Sequence, residues 1–322
     1  MKRALVTGAS GFVGANLVRR LLKDGHETHL LLRPSHQSWR IQEVADDVRA
    51  HEANLEDVES VRRVVIEARP DWVFHLAAYG AYPNQTGLQR MLATNVLGCA
   101  ALIDAGAETG IETFIHTGSS SEYGFKNHAA SEQDVIEPNS HYAITKASAT
   151  HYCQWAARER NLNAVTVRLY SIYGPFEEPG RLIPTLILHG LRAKLPPLAT
   201  SGIARDFVFV DDAVDALLQV AAAPSIPRGA IYNICTGEQS TLADVVAVAR
   251  SVMGISDEPV WSSMPDRAWD TDRWVGSAQR IEREIGWRAQ TTFEEGLKQT
   301  IRWFEEHPEW LRYYAARKAC RL

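Results

Sequence analysis

The chain has 322 residues, of which 45% are hydrophobic and 23% are charged, a composition that suits one large domain or two of medium size. The formal net charge of −5 argues against nucleic-acid binding, which usually requires a basic face. No stretch approaches the roughly 18 consecutive apolar residues of a membrane span. The four cysteines form no CxxC pair, and the eleven histidines show no metal-ligand spacing such as HExxH. We therefore expect a cytoplasmic protein without nucleic-acid partner, membrane partner or metal.

The first predicted element is the short apolar strand Ala4–Val6, which leads through a glycine turn into a helix. Gly8, Gly11 and Gly14 are spaced three apart. Glycine tolerates the angles of a tight turn, and a helix that starts there presents unpaired N–H groups to a phosphate. Such glycines can also mark a simple turn, but their place between strand and helix favours a dinucleotide site. The predicted cofactor contacts in this segment are Gly8, Ser10, Gly11, Phe12, Val13 and Gly14.

A second predicted strand, His26–Leu32, ends at Arg33. Sites that prefer NAD usually carry an acidic residue near this point to bind the ribose 2′-hydroxyl. Arg33-Pro34-Ser35 stands there instead, and an arginine can pair with the 2′-phosphate of NADP. The pattern favours NADP(H), with Arg33 and Ser35 as contacts, and leaves open NAD(H) with a solvated surface arginine.

The middle of the chain alternates between helical and strand patterns. The predicted elements are a helix at Glu56–Ala68 capped by Asn54, a strand at Asp71–Ala78, a helix at Gln89–Gly106, a strand at Glu112–Thr117, a helix at His141–Arg160 and a strand at Asn163–Leu169. This alternation predicts an α/β fold with a doubly wound, right-handed parallel sheet. The small residues that end the Asp71–Ala78 strand suit a closely approaching cofactor, whereas His75 is expected to pack in the core.

An acid–base set lies in the same region. Tyr142 and Lys146 are four residues apart, so they share one helix face, and a serine-rich run at Ser119–Gly124 follows a strand. A neighbouring ammonium would lower the phenol pKa, and the tyrosine could then exchange a proton at a carbonyl or hydroxyl. YxxxK alone is common in helices, but it is far more specific together with the glycine turn and the serines.

Prolines punctuate the chain after Pro175, which indicates loops that cover a site. Further predicted elements are a strand and helix at Arg205–Ala222, a strand at Gly229–Cys235, helices at Leu242–Met253, Ser277–Ile285 and Phe293–Glu306, and a basic surface helix in the tail from Trp310.

Together these motifs resemble the extended short-chain dehydrogenases/reductases, the group that contains nucleotide-sugar epimerases, dehydratases and reductases. The resemblance also rests on the His75–Ala78 turn, Asn95, and the segments 168–175 and 205–212. It implies a Rossmann domain (1–170 and 205–235), a smaller α/β substrate domain (171–204 and 236–322), a nucleoside-diphosphate-sugar substrate, and a homodimer formed through helices 89–106 and 141–160.

The resemblance assigns Ser119, Tyr142 and Lys146 as catalytic residues. The further cofactor contacts that it implies are Asn54, Leu55, Leu76, Ala77, Ala78, Tyr142, Lys146, Tyr170 and Ile172. The implied substrate contacts are Ser120, Ser121, Ser171, Arg181, Arg205 and Arg267, with the last two on the diphosphate. Ser171 stands where the family often has asparagine, so the placement of the substrate is open.

The same residues bear on the reaction. Dehydratases of this group often carry Asp-Glu where Ser120 and Ser121 stand, and Glu122 is expected on the opposite face of an extended segment. Dehydration is therefore disfavoured. Arg33 and the Ser119–Gly124 run, which is similar to that of GDP-4-keto-6-deoxymannose reductases, favour NADPH-dependent reduction of a 4-keto sugar. A nucleotide-sugar epimerase with retained NAD and a non-catalytic NADP sensor are the alternatives.

Overall fold

The computed structural model describes residues 1–82, 84–265 and 270–319. Its strands are β1 (Arg3–Thr7), β2 (Glu27–Leu32), β3 (Arg49–Glu52), β4 (Trp72–His75), β5 (Thr113–Ser119), β6 (Ala164–Leu169), β7 (Ser171–Tyr173), β8 (Ala204–Arg205), β9 (Phe207–Phe209), β10 (Ile231–Ile234) and β11 (Ser240–Thr241). Its helices are α1 (Phe12–Lys23), α2 (Val58–Ala68), α3 (Leu88–Leu92), α4 (Gly98–Thr109), α5 (His141–Glu159), α6 (Leu182–Gly190), α7 (Val210–Ala222), α8 (Leu242–Met253), α9 (Gln279–Ile285), α10 (Phe293–Glu306) and α11 (Pro308–Ala319). A short π-helix at Ala93–Leu97 (the π-turn) joins α3 to α4. Short 3-10 helices span Gln42–Asp47 and Ser120–Tyr123.

The main sheet has seven strands in the order β10-β6-β5-β4-β1-β2-β3, and all neighbours are parallel. Helices cover both of its faces, so the central strands are buried on both sides. Leu5 packs in one core cluster with α2, α4 and α5, whereas Val6 packs in the other with α1 and α7. The predicted doubly wound Rossmann fold is confirmed. The strand order reverses between β1 and β4, where ligands of such sheets bind.

A third apolar cluster joins α6, α8, α10 and α11, and it includes Tyr173, Phe176 and Phe209. Beside it lie two short strand pairs, the parallel pair of β7 with β9 and the antiparallel pair of β8 with β11. The division into 1–170 with 205–235 and 171–204 with 236–322 stays a prediction.

Three local predictions are wrong. The side chain that caps α2 is Asp57, which accepts from the Ser60 N–H at 3.3 Å, whereas Asn54 accepts from Glu56 just before the helix. Helix α6 occupies part of the predicted loop region. Pro184 does not prevent this helix, because it lies in the first turn, where helical N–H groups have no partner. The tail helix α11 is packed rather than superficial, since Tyr314 is fully buried.

Across the three described ranges, none of the helices combines the length and the apolar character needed to span a bilayer.

Candidate active site

The glycine turn after β1 forms a cradle that no larger residue could line. Gly8 has φ of +71°, and a Cβ there would lie 2.5 Å from the backbone nitrogen of Ala77. A Cβ on Gly14 would lie 2.2 Å from the carbonyl oxygen of Gly8. Helix α1 starts beyond Gly11 without a side-chain cap, so its first N–H groups stay free for an anion. These features fit the pyrophosphate of a dinucleotide.

The turn after β4 closes the other side of this cradle. Thr7 Oγ1 accepts from the Ala77 N–H at 3.3 Å and lies 2.7 Å from Nδ1 of the buried His75. Asn95, in the π-turn, accepts from the Tyr79 N–H at 2.8 Å and donates to Thr145 Oγ1 at 2.9 Å. Asn95 therefore joins the turn after β4 to the helix that carries Tyr142 and Lys146.

The other predicted cofactor residues lie at the carboxyl edge of the sheet or next to it. Arg33 and Ser35 are exposed just after β2, and Leu55 is buried where a Cβ on Gly98 would touch it. Tyr170 and Ile172 follow β6; the Tyr170 ring is buried, and a Cβ on Gly276 would lie 2.5 Å from it. The cofactor roles of these residues stay predictions.

The three predicted catalytic residues come from two elements that meet above this edge. Ser140 caps α5 by accepting from the Ala143 N–H at 3.2 Å, which places Tyr142 in the first turn and Lys146 one turn later. Ser119 ends β5, next to Tyr142. Their catalytic roles stay predictions.

The expected low pKa of Tyr142 is wrong. Burial raises the pKa of Tyr142 to about 12, the negative charge of Glu122 adds to this rise, and the Ser119 hydroxyl opposes it. Burial also lowers the pKa of Lys146, against the opposing effect of Glu122. Desolvation is the largest cause of both shifts, because it disfavours the charged form of each group. Tyr142 is consequently protonated at neutral pH.

The serine-rich run is a 3-10 turn and not the expected extended segment. Ser119 is its N-cap, with Oγ 3.2 Å from the Ser121 N–H and 2.8 Å from the Ser121 Oγ. Glu122 is fully buried; its carboxylate accepts from Arg168 Nε at 2.9 Å and from the Ser119 N–H at 2.7 Å, so it lies against the backbone of the turn. Ser120 accepts a hydrogen bond from Trp274 Nε1 at 3.1 Å.

The predicted substrate arginines differ in their surroundings. Arg205 is half-buried; it donates to Asp270 Oδ1 at 3.1 Å, and its guanidinium carbon lies 5.7 Å from the Trp274 ring centre. Arg181 is mostly exposed and lies 3.6 Å from Glu177. Ser171 begins β7, and its N–H donates to the Asp206 carbonyl at 3.0 Å. Arg267 lies outside the described residues.

The sequence did not single out three side chains of this region. The buried Arg40 donates to the carbonyls of Ser10 and Phe176 at 3.3 and 2.7 Å, and to Glu178 at 3.0 Å. Tyr82 lies close enough to shift the pKa of Tyr142. Trp274 contacts the Ser120–Tyr123 turn through its hydrogen bond to Ser120. No local pattern marks them, because each contact joins distant parts of the chain.

Two further features adjoin the site. The buried residues His75, Cys99 and His116 each place a potential metal-ligand atom within 4.8 Å of the other two. Their spacing along the chain gives no sign of this cluster, and the sequence therefore predicted no metal. A cleft of about 770 Å³ opens beside the Ser120–Tyr123 turn. Its lining comprises Phe125, Lys126, Asn127, His128, Glu137, Thr271, Asp272 and Arg273.

The parallel sheet, the glycine cradle and the Ser-Tyr-Lys set at its carboxyl edge define an extended short-chain dehydrogenase/reductase. Residues 4–235 match the NAD dependent epimerase/dehydratase family, and the chain belongs to this family.

Its relatives act on nucleotide sugars. The chain is 27% identical to the dTDP-glucose 4,6-dehydratase of Neisseria meningitidis serogroup B, over 96% of this chain and 95% of that protein. It is also 27% identical to the trifunctional UDP-glucose 4,6-dehydratase/UDP-4-keto-6-deoxy-D-glucose 3,5-epimerase/UDP-4-keto-L-rhamnose-reductase of Arabidopsis thaliana, of which it spans only 48%. The solved UDP-glucose 4-epimerase of Thermus thermophilus, in complex with NAD, is similar with a TM-score of 0.80 and 28% identity, covering 95% of this chain and 99% of that one.

Proposed function

We propose that the protein catalyses hydride transfer at C4 of a sugar linked to a nucleoside diphosphate. The observation that carries this proposal is the meeting of Ser119, Tyr142 and Lys146 beside a glycine cradle that fits a dinucleotide. A bound nicotinamide would supply the hydride. The relatives named above, which act on UDP- and dTDP-linked sugars, support the substrate class.

In the reaction we propose, negative charge builds on the C4 oxygen of the sugar as the hydride arrives. Tyr142, protonated at neutral pH, donates its phenolic proton to that oxygen. The Ser119 hydroxyl donates a hydrogen bond to the same oxygen and stabilises its developing charge. Lys146 contributes a positive charge on the same helix face and binds the nicotinamide ribose.

Within this chemistry we favour reduction of a 4-keto sugar by NADPH. Arg33 is exposed at the end of β2, where a 2′-phosphate would lie, and no carboxylate stands at residues 33–35. A protonated Tyr142 also suits a reaction that begins with proton donation. Ser120 and Ser121 supply only hydroxyls where a dehydratase would need an acid–base pair, although the Neisseria relative supports dehydration as a competing activity.

The epimerase alternative is supported equally by the comparisons. The Thermus relative is an epimerase in complex with NAD. The same three side chains could take the proton of the C4 hydroxyl and later return it, while a bound NAD would accept the hydride from C4 and give it back. In that case the cofactor would be NAD, recycled within each turnover, and Arg33 would be a solvated surface residue.

One experiment separates these reactions. The protein is mixed with NADPH and 4-keto-6-deoxy sugars linked to GDP, CDP, dTDP or UDP, and the nicotinamide absorbance is followed. A reductase oxidises one NADPH per product. In a parallel incubation with nucleotide-linked hexoses and NAD, an isomer formed without net cofactor change identifies an epimerase, and loss of water identifies a dehydratase.

The homodimer is part of this proposal. Apolar side chains are exposed along α3, the π-turn and α5, namely Leu88, Leu92, Leu97, Ile144 and Trp155. Pairing of these helices between two copies would bury them, and light scattering during size-exclusion chromatography would test it. The cytoplasmic location stays a prediction.

A further inference from the structure

Beneath Ser119 lies an ion pair that is closed off from solvent. Arg168 Nε donates to Glu122 Oε2 at 2.9 Å, and the two side chains are 2% and 0% exposed. The guanidinium of Arg168 lies 4.4 Å from the Tyr123 ring centre, and the Tyr123 hydroxyl donates to Asn233 at 2.7 Å. A desolvated pair of this kind is costly to form, and an apolar pair of similar size often replaces it without loss of stability. Stability alone is therefore a weak reason for its presence.

The second carboxylate oxygen of Glu122 holds the backbone of the catalytic serine. Glu122 Oε1 accepts from the Ser119 N–H at 2.7 Å, and the Ser119 hydroxyl accepts from the Ser121 N–H. A Cβ on Gly118 would lie 2.6 Å from that oxygen and 3.1 Å from Arg168 Cγ. Only glycine at position 118 leaves room for the Glu122–Arg168 ion pair. The carboxylate in turn fixes the position of Ser119 through the Ser119 N–H.

The charge of Glu122 also reaches the other two catalytic side chains. After burial it is the largest influence on Tyr142 and on Lys146, and it raises the pKa of both. The other groups that face these two side chains are Ser119 on β5, Tyr82 after β4 and Arg181 before α6 for Tyr142, and Cys99 on α4, Cys153 on α5 and His116 on β5 for Lys146.

We propose that Glu122 is a positioning residue of the hydride-transfer reaction, one that orients Ser119 through its backbone N–H and sets a fixed negative charge close to Tyr142. This inference rests on the proposed function, because it assigns Glu122 a role through residues that act on the C4 oxygen. Arg168 neutralises the buried carboxylate by donating to Oε2, whereas Oε1 accepts from the Ser119 N–H.

The test is Glu122→Gln, because the amide oxygen can still accept from the Ser119 N–H while the charge is lost. We expect the alkaline limb of kcat to move to lower pH by about one unit, since Tyr142 then loses its proton more readily. The matched control is Glu132→Gln. Glu132 is partly buried and, like Glu122, accepts a backbone N–H, that of Asn233 at 2.7 Å, but it is not among the groups that shift the pKa of Tyr142. A merely structural role would lower the rate at every pH without moving the limb. Coincident profiles for Glu122→Gln and the wild type, or an equal shift in Glu132→Gln, would overturn the inference.

A second measurement does not depend on turnover. Protein labelled with carbon-13 at the tyrosine Cζ reports the ionisation of Tyr142 by NMR, with Tyr142→Phe to assign its signal. The signal should begin to titrate at lower pH in Glu122→Gln than in the wild type. If the wild type turns over no nucleotide sugar, the proposed function fails while this shift is still measured. If Glu122→Gln does not fold, the double variant Glu122→Gln/Arg168→Met removes both buried charges, and the same earlier titration is expected there; a signal unchanged from the wild type would overturn the inference.

Discussion

Trp274 donates a hydrogen bond from its indole Nε1 to the hydroxyl oxygen of Ser120 at 3.1 Å. The backbone N–H of Trp274 donates to Gln239 Oε1 at 3.1 Å, and Arg205 lies over the indole ring. A bridge between Ala130 and Gly276 fixes the next residues. The segment 270–277, more than a hundred residues beyond the end of α5, is thus held directly against the Ser120–Tyr123 turn.

This contact predicts the effect of Trp274→Phe. Phenylalanine keeps a ring under Arg205 but cannot donate to Ser120. We expect the KM for the nucleotide sugar to rise about fivefold, the equivalent of ~1 kcal/mol for one hydrogen bond, with unchanged cofactor affinity. Initial rates and cofactor titration measure the two effects. Trp261→Phe, in a partly buried loop position away from the turn, is the control; an equal KM change there would contradict the prediction.

Arg205 is expected to bind the substrate diphosphate. Arg205→Lys keeps a positive charge but loses the planar fork that suits a phosphate, whereas Arg205→Ala loses both. The KM for the nucleotide sugar should therefore rise in both variants and by more, about tenfold or beyond, in Arg205→Ala, while cofactor affinity stays constant. Arg267→Ala is expected to act in the same way. A collapse of cofactor binding in Arg205→Lys would place this arginine in the cofactor site or the fold instead.

Arg33 tests the choice of cofactor. Its exposed guanidinium at the end of β2 should bind a 2′-phosphate and gain nothing from a 2′-hydroxyl. Arg33→Ala is expected to weaken NADPH binding by about 1–3 kcal/mol and to leave NADH binding almost unchanged, as measured by fluorescence titration. Arg49→Ala, an exposed arginine on the neighbouring strand β3, is the control. Equal losses for the two cofactors in Arg33→Ala would remove the argument for NADP.

The positions of the candidate catalytic residues could be predicted because local sequence places them. Ser119 must end a strand, and Tyr142 and Lys146 must lie one turn apart on a helix, so short motifs reveal them. Glu122 was placed on the far side of an extended segment. The 3-10 turn instead brings it directly under Ser119, because the carboxylate accepts from the Ser119 N–H while the Ser119 hydroxyl accepts from the Ser121 N–H. Side-chain alternation along an extended segment does not predict the position of a residue in such a turn.

Arg40 shows what the sequence could not reveal. Its partners Ser10, Phe176 and Glu178 lie 30, 136 and 138 residues away, and no periodicity links such positions. The same holds for the tail, where Tyr314 packs edge-on against Trp39 and Phe304. Elements that depend on their own hydrogen bonds were predictable, whereas these interactions exist only once the whole chain is folded.

Glu177 predicts a pH dependence of stability. Burial raises its pKa from 4.5 to about 8, against the opposing charge of Arg181. The folded chain therefore binds this proton more tightly than the unfolded chain, and the resulting stability is complete below the unfolded pKa and is lost as the pH rises towards about 8. Glu177→Gln removes this loss, so its melting temperature should exceed that of the wild type near pH 9 and match it near pH 4. Differential scanning calorimetry measures both. Glu294→Gln, an exposed site, should show no such difference between the two pH values; a pH-independent effect of Glu177→Gln would contradict the prediction.

Tyr142 and Ser119 test the proposed mechanism itself. Tyr142→Phe removes only a hydroxyl, so the fold and the cofactor affinity should survive while kcat falls by about 10²–10⁴, the usual worth of general acid catalysis. Ser119→Ala should cost less, because it removes one hydrogen bond to the developing oxyanion while Ser121 keeps a hydroxyl 2.8 Å from that position. Tyr152→Phe is the matched control, since this hydroxyl lies on the same helix but donates to Asp104 at 3.0 Å. Stopped-flow measurement of nicotinamide oxidation isolates the chemical step from product release. A Tyr142→Phe rate within about threefold of the wild type would show that another group protonates the C4 oxygen, and a larger loss in Ser119→Ala than in Tyr142→Phe would reverse the two roles.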